Sequence, residues 1–304
     1  MIQASSIEEL NLEKACLTIG SFDGVHRGHQ SLISILKQTA LENKCPAVVL
    51  TFHPHPVVVL KGLTTPFYIS TPEQKAELFS QLGVDYLITL PFNHSISMMS
   101  ADEFMSKLVQ HIGLHKLVVG CGFVLGKDRT GTIDVLSDIG KSAGYSVLCI
   151  DSVSNEKEII SSSLIRRQIE DGNIGSVTTS LGRFFSIKGK VIRGDGRGRR
   201  IGFPTANLAI WPQQLLPAPG VYRCLATVNE KTYLSVGNLG YRPTFTENTR
   251  EIFTEIHLLN FSGDIYGEEV KVQFTHRLRG ETKYASFQDL VIQINRDILA
   301  AREL

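Results

Sequence analysis

The sequence predicts an α/β domain built on a parallel sheet, followed by an antiparallel β-barrel domain that ends in a helix. Three observations carry this expectation. The first half alternates short apolar runs with helical periodicities. From about residue 184, short β-rich runs follow one another with no helical pattern between them. An amphipathic pattern then closes the chain over residues 286–302.

In the first half, "ACLTIG" (15–20) is an apolar run ended by glycine and reads as a buried strand. Leu32, Ile33, Leu36, Ala40 and Leu41 then recur at helical spacing, which predicts a helix over 28–43. "AVVLTF" (47–52) is rich in β-branched residues and reads as a strand. The Thr-Pro opening and glycine ending of "TPEQKAELFSQLG" punctuate a helix over 71–83. "DYLITL" (85–90), "HKLVVG" (115–120) and "YSVLCI" (145–150) are further strands, with helical patterns at 101–112 and 132–143. Such alternation implies a mostly parallel sheet covered on both faces.

In the second half, "FFSIKGKVI", "GVYRCLATV", "KTYLSVGNL", "IFTEIHLLNF" and "EEVKVQFTHRL" are strands separated by Gly, Pro and Asp. Phe287, Leu290, Val291, Ile294, Ile298 and Leu299 give the closing helix its apolar face. The seam is expected near 180–185, which gives domains at 1–182 and 183–304.

A chain of 304 residues, 42% hydrophobic and 20% charged, has room for two packed cores. A net charge of +1 supplies no global field toward nucleic acid or an anionic membrane. The five cysteines (Cys16, Cys45, Cys121, Cys149, Cys224) form no C-x-x-C pair. Reduced thiols in the cytoplasm are therefore expected, with neither a disulfide frame nor a zinc ribbon. The opening "MIQASSIEELNLEKA" carries acids and lacks an apolar signal region. No apolar run approaches the ~18 residues of a membrane span.

"TIGSFDGVHRGHQSL" (18–32) lies between the first strand and the first helix. That is the carboxyl edge of the sheet, where open α/β folds bind ligands. A helix start there offers free N–H groups and partial positive charge to a phosphate. Gly20, Gly24 and Gly28 let the backbone approach a ligand, and His26 and His29 can stabilise charge on a reacting phosphoryl group. The plainer alternative is a glycine-rich turn with surface histidines. A zinc site that adds His53 and His55 from "TFHPHP" is another, although the usual spaced Cys/His ligand sets are missing.

Further on, "ISSSLIRRQIEDGNI" (160–174) sets serines before a helical pattern, with Arg166 and Arg167 in its first turns. The serines suit helix capping, and the arginine fork suits phosphate oxygens. "GKVIRGDGRGRRIGFPTANL" (189–208) combines glycines 194, 196, 198 and 202 with four arginines. Composition alone would allow a nucleic-acid loop or a solvated turn, but aromatics for base stacking are few and the whole chain is near neutral.

"GSFDGVHRGH" resembles the signature of the nucleotidyltransferase superfamily. Its longer form, G-x-FDG-x-H-x-GH, resembles the flavin adenylyltransferase branch. The resemblance implies a Rossmann-like nucleotidyltransferase domain in which Gly20, Phe22, Asp23, Gly24 and Gly28 border the ATP phosphates. His26 and His29 would stabilise the phosphoryl charge. Ser162, Ser163 and Arg166, which match the family's SS-[ST]-x-IR segment, would hold the triphosphate, and Phe123 would border the flavin. One departure stands out. Where the family usually has Asp or Asn, then Phe, a variable residue, Phe and Gly, this chain has Gly122, Phe123, Val124, Leu125 and Gly126.

In the second half the glycine loop with "GFPTAN" (202–207) resembles the riboflavin kinase family, as do "PGVY", "NLGYRPTF", "GDIYG" and "RLRGETKYASF". The resemblance implies that Gly194, Gly198, Gly202 and Pro204 close over ATP. Thr205 and Asn207 would offer oxygens to Mg²⁺ or the nucleotide, and Glu255 would take the proton of the accepting hydroxyl. Arg279 and Glu281 would border the flavin ring. On an alternating strand, Glu255 shares a face with Phe253 and His257, opposite Thr254, Ile256 and Leu258.

The resemblance runs over roughly residues 12–302 and is to the bifunctional bacterial riboflavin kinase/FAD synthetases. It implies ATP-dependent phosphorylation of riboflavin to FMN and adenylylation of FMN to FAD with release of pyrophosphate. The expected partners are riboflavin, FMN, FAD and ATP, with Mg²⁺ and no permanently bound organic cofactor, and without nucleic acid or membrane. Gly122 and Leu125 leave open a kinase whose first domain makes no FAD. A non-catalytic flavin-binding regulator is the third reading, opposed by the joint presence of His26, His29, Thr205, Asn207 and Glu255.

Overall fold

A computed structural model describes residues 1–151, 158–194, 196–241 and 252–304. The chain divides into two compact units, one of Met1–Thr65 and Thr71–Ser162, the other of Pro66–Ser70 and Ser163–Leu304.

The first unit runs β1 (Ile2–Ala4), β2 (Ala15–Ile19), α1 (Arg27–Glu42), β3 (Ala47–Phe52), α2 (Pro56–Lys61) and α3 (Pro72–Gln81). It continues through β4 (Tyr86–Leu90), α4 (His94–Ser97), α5 (Ala101–Ile112), β5 (Leu114–Gly120), α6 (Ile133–Ala143) and β6 (Ser146–Ile150). The strands form a parallel sheet in the order β1-β4-β3-β2-β5-β6. Every residue of β2 and β3 is buried, because helices cover both faces. Ala15, Leu17 and Ile19 pack with the α5–α6 side of the core, whereas Cys16 packs with Ile33 and Leu36 of α1.

From β2 the chain first builds toward β3 and β4, then returns to place β5 on the other flank of β2. The strand order therefore reverses at the carboxyl end of β2, the position at which open α/β sheets bind ligands.

In the second unit α8 (Ile174–Leu181) precedes a closed barrel of β7 (Phe185–Ile192), β8 (Ala206–Ile210), β9 (Gly220–Val228), β10 (Lys231–Tyr241), β11 (Ile252–Leu258) and β12 (Glu269–Arg279). α7 (Ser162–Glu170) begins where the two units divide. α9 (Arg197–Arg200) is one turn inside the glycine-rich loop, and α10 (Phe287–Glu303) closes the chain. Strand order in the barrel is β10-β11-β8-β7-β12-β9, and all the pairings are antiparallel. Phe185, Tyr222 and Phe274 fill its interior, with ring centroids 5.4–5.9 Å apart. Alternating burial along β11 turns Thr254, Ile256 and Leu258 inward and leaves Phe253, Glu255 and His257 on the other face, as alternation predicts.

Some elements exceed the sequence expectation. β1 adds a parallel edge strand beside β4, and β8 is a strand inside a segment that reads as a motif loop. The helices α2, α4 and α8 are 4–8 residues long, too short to show a clear period.

The expectation of reduced thiols is corrected by a Cys121–Cys149 disulfide in the first unit. Parallel pairing of β5 and β6 sets Val119 beside Cys149, so Cys121, just past β5, falls 5.1 Å away between Cα atoms. A separation of 28 residues gives no hint of that closeness. Cys16, Cys45 and Cys224 are free thiols. No helix among the described residues is long and apolar enough to cross a membrane.

Candidate functional sites

The loop after β2 bends sharply before it enters α1. Phe22, Gly24 and Val25 all have positive φ, and at +79° Gly24 occupies the left-handed region that glycine tolerates best. His26 is the N-cap of α1, and its Nδ1 accepts the His29 backbone N–H at 3.4 Å. The rings of His26 and His29 stack with centroids 3.6 Å apart, and Phe22 meets His29 edge-on at 5.1 Å. His26 and Asp23 are buried, while His29 is half-buried. Two imidazoles therefore stand side by side at the amino end of a 16-residue helix, where phosphate is electrostatically favoured.

Ser162 Oγ donates to the Asp23 carbonyl at 2.9 Å and so ties the start of α7 to this loop. Ser163 and Arg166 belong to the second unit. There the Arg166 guanidinium lies 3.8 Å over the Phe67 ring, and its Nε donates to the Phe67 carbonyl.

His53 and His55, the extra ligands of the zinc alternative, have other settings. His55 caps α2 by accepting the Val57 N–H at 3.1 Å. Burial, followed by the nearby Lys75 charge, holds His53 below the usual imidazole range. Among the described residues no group of three or more His, Cys, Asp or Glu side chains is arranged to hold a metal.

Beyond β5, the Phe123 N–H returns to the Gly120 carbonyl, and Leu125 exchanges two backbone hydrogen bonds with Gly131. Phe123 and Leu125 both pack against the core, whereas Gly122 is exposed. A Cβ added at Gly122 would meet nothing within 4 Å. The departure from the family pattern at 122 thus sits where a side chain has room.

In the barrel, β8 pairs with β11 so that Asn207 lies directly opposite Glu255, and Asn238 of β10 opposes Glu255 from the other side. Thr205, just ahead of β8, lines a cavity of about 490 Å³ with Pro204, Arg199, Leu258, Phe261 and Tyr266. That volume suits a small organic ligand. Pro204 is held by His257, whose Nδ1 donates to its carbonyl at 2.7 Å, since a carbonyl can only accept.

The glycines of the loop are set by close contacts. A Cβ at Gly198 would collide with the Phe203 carbonyl and press on Thr205 Oγ1, and one at Gly194 would collide with the Asn207 amide. Asn207 and Glu255 are cross-strand neighbours, and Thr205 lies two residues before Asn207. Each carries a side-chain oxygen of the kind that could hold Mg²⁺.

Arg279, expected near the flavin, forms a bidentate pair with the buried Asp297 of α10, with Nε and Nη2 at 2.8–3.1 Å from its carboxylate oxygens. Its neighbour Glu281 packs its carboxylate over Gly240 of β10. The sequence motifs assign no pocket role to the apolar cavity wall of Leu258, Phe261 and Tyr266, although "GDIYG" contains Tyr266. Its signal was present as the aromatic- and glycine-rich "LLNFSGDIYG" that follows β11.

Comparison with known proteins matches each half of the chain to a family. FAD synthetase matches residues 8–164, and riboflavin kinase matches residues 181–304. A bifunctional riboflavin kinase/FMN adenylyltransferase of Bacillus subtilis is 36% identical over 287 residues, covering 93% of this chain and 90% of the relative. The protein of the same name from Escherichia coli K12 is 34% identical over 293 residues, covering 96% and 93%. A crystal structure described as a macrolide-efflux protein from Streptococcus pneumoniae superposes with a TM-score of 0.91 at 30% identity, covering 100% of this chain and 99% of that one.

Proposed function

This chain belongs to the bifunctional riboflavin kinase/FMN adenylyltransferase family, and from that premise we propose which of its residues perform each step. The C-terminal half is a riboflavin kinase and the N-terminal half an FAD synthetase, and both use a nucleotide co-substrate. The working division is 1–182 and 183–304; the two family matches end at 164 and begin at 181, so this seam lies just inside the start of the kinase match.

In the kinase, Glu255 is the group that receives the proton of the riboflavin 5′-hydroxyl. That oxygen forms a bond to the γ-phosphorus of ATP as the bond to the β-phosphate oxygen breaks, giving FMN and ADP. The opposition of Glu255 and Asn207 is the observation that carries this reading, because it holds a carboxylate beside the oxygens of the nucleotide segment. Thr205 and Asn207 would hold Mg²⁺, which when bound offsets phosphate charge. Gly194, Gly198, Gly202 and Pro204 shape the loop over ATP. Arg279 acts on the flavin side by fixing α10 through Asp297, with Glu281 beside it.

In the synthetase, a phosphate oxygen of FMN attacks the α-phosphorus of ATP, and the bond to the β-phosphate breaks to release pyrophosphate. His26 and His29 stabilise the charge that develops, and the loop from Gly20 through Phe22, Asp23 and Gly24 to Gly28 supplies close backbone approach. Ser162 holds that loop through Asp23. Ser163 and Arg166 are assigned to the triphosphate by their match to the family segment, and Phe123 to the flavin. The location proposed is the cytoplasm, where ATP is plentiful.

Labelled ATP tests both assignments. Label in the γ-phosphate should appear in FMN, and label in the α-phosphate should appear in FAD and be absent from FMN. FAD carrying no α-label would contradict the adenylylation step.

A further inference from the structure

Lys75 of α3 is buried in the first unit, beneath the loop that follows β2. Its Nζ donates to the Ser21 carbonyl at 3.1 Å and to Thr51 Oγ1 at 3.0 Å. Thr51 Oγ1 donates in turn to the same Ser21 carbonyl at 3.0 Å. Ser21 immediately precedes the positive-φ residues Phe22, Gly24 and Val25, which lead into His26. One buried ammonium thus grips the loop just ahead of its sharpest bend and joins it to the carboxyl end of β3.

Removing an ammonium from water is costly, and two neutral oxygens repay only part of that cost. A methionine would fill similar space without the penalty. A charge kept in such a place is best explained by what it holds. We propose that Lys75 is a positioning residue for adenylyl transfer: it fixes the Ser21 carbonyl and thereby aims His26, His29 and the first N–H groups of α1 at the reacting phosphates. The proposal rests on the adenylyl-transfer reading of this loop.

Three charged or titratable groups bear on Lys75 and its setting. Asp23, on the same loop, favours the charged form of Lys75. His53, after β3, is held below the usual imidazole range by burial first and then by the Lys75 charge. Glu73, on α3 itself, acts on His53 in the opposite sense. Burial brings the Lys75 ammonium down to about 8, with Asp23 opposing. Above that pH the neutral amine holds the carbonyl more weakly.

The test compares Lys75→Met with wild type in the full-length chain. FAD formation from FMN and ATP should fall about 10- to 100-fold in kcat with little change in KM. Riboflavin phosphorylation should be unchanged, and the first unit should melt no lower than wild type at pH 7. Wild-type FAD synthesis should decline as pH rises through about 8, a limb that the variant lacks. Adenylylation within twofold of wild type would overturn the proposal. So would an activity loss that follows a lowered melting temperature, or a flat wild-type profile from pH 7 to about 9.5, which needs no variant to fold. If wild type makes no FAD at all, the underlying reading of the loop fails instead.

Discussion

Asn207 and Glu255 face each other directly across the antiparallel pairing of β8 and β11. Side chains of such a pair share one face of the sheet, close enough to act together. The pairing brings a carboxylate from one motif against the amide of another 48 residues earlier in the chain (255 − 207).

Glu255→Gln keeps the size of the side chain and removes its basicity. FMN formation should drop by about 10²–10⁴-fold, the usual contribution of a positioned base. FAD formation from supplied FMN should stay at the wild-type rate, as read by chromatography of the flavins.

Gly198→Ala adds a methyl group against the Phe203 carbonyl and Thr205 Oγ1. The loop must shift, and Thr205 with it. A steady-state assay should show a raised KM for MgATP in the kinase reaction and unchanged adenylylation.

His26→Asn retains a good N-cap for α1 but removes one ring of the stacked pair. FAD synthesis should fall strongly while the melting temperature of the first unit changes little. His29→Ala should lose FAD synthesis as well and leave riboflavin phosphorylation intact.

Gly122→Asn restores the polar group of the family pattern at an exposed position with open space around it. Stability should stay within about 0.5 kcal/mol of wild type. FAD synthesis should rise, measured as kcat/KM for FMN.

Asp297→Ala strands Arg279, whose side chain is only 22% exposed, and frees α10 from β12. Loss of one partner of a largely buried pair costs about 3 kcal/mol. Thermal unfolding of the second unit should report it, with the first unit unaffected.

Lys75 also sets a pH dependence of stability. Its folded pKa of about 8 lies below the ordinary 10.5, so between those values the unfolded chain binds the proton and the folded chain does not. Wild-type stability therefore rises across pH 8 to 10.5 relative to Lys75→Met, by at most on the order of 3 kcal/mol. Paired denaturation curves at several pH values should show the difference.

Much of this is legible in the residues. β2 and β3 read as buried strands because both faces of the sheet are covered, and α1 and α5 are long enough to display their apolar stripes. β8 is not legible, because "ANLAI" is short and stands between a glycine- and proline-rich loop and Trp211-Pro212, and its strand character comes from the neighbours that close the barrel. The register of Asn207 against Glu255 follows from that closure and from no local signal. Lys75 hides for another reason. A lysine in an amphipathic helix reads as solvent-facing, and only the loop folded over it shows otherwise. Cys121 and Cys149 meet through sheet order, which the cysteine count cannot reveal.

The most direct measurement supplies the wild-type chain with riboflavin, ATP and Mg²⁺ and resolves the flavins over time. FMN should appear first and FAD should follow from it. Accumulation of FMN with no FAD would contradict the N-terminal assignment, and the absence of both products would contradict the account as a whole.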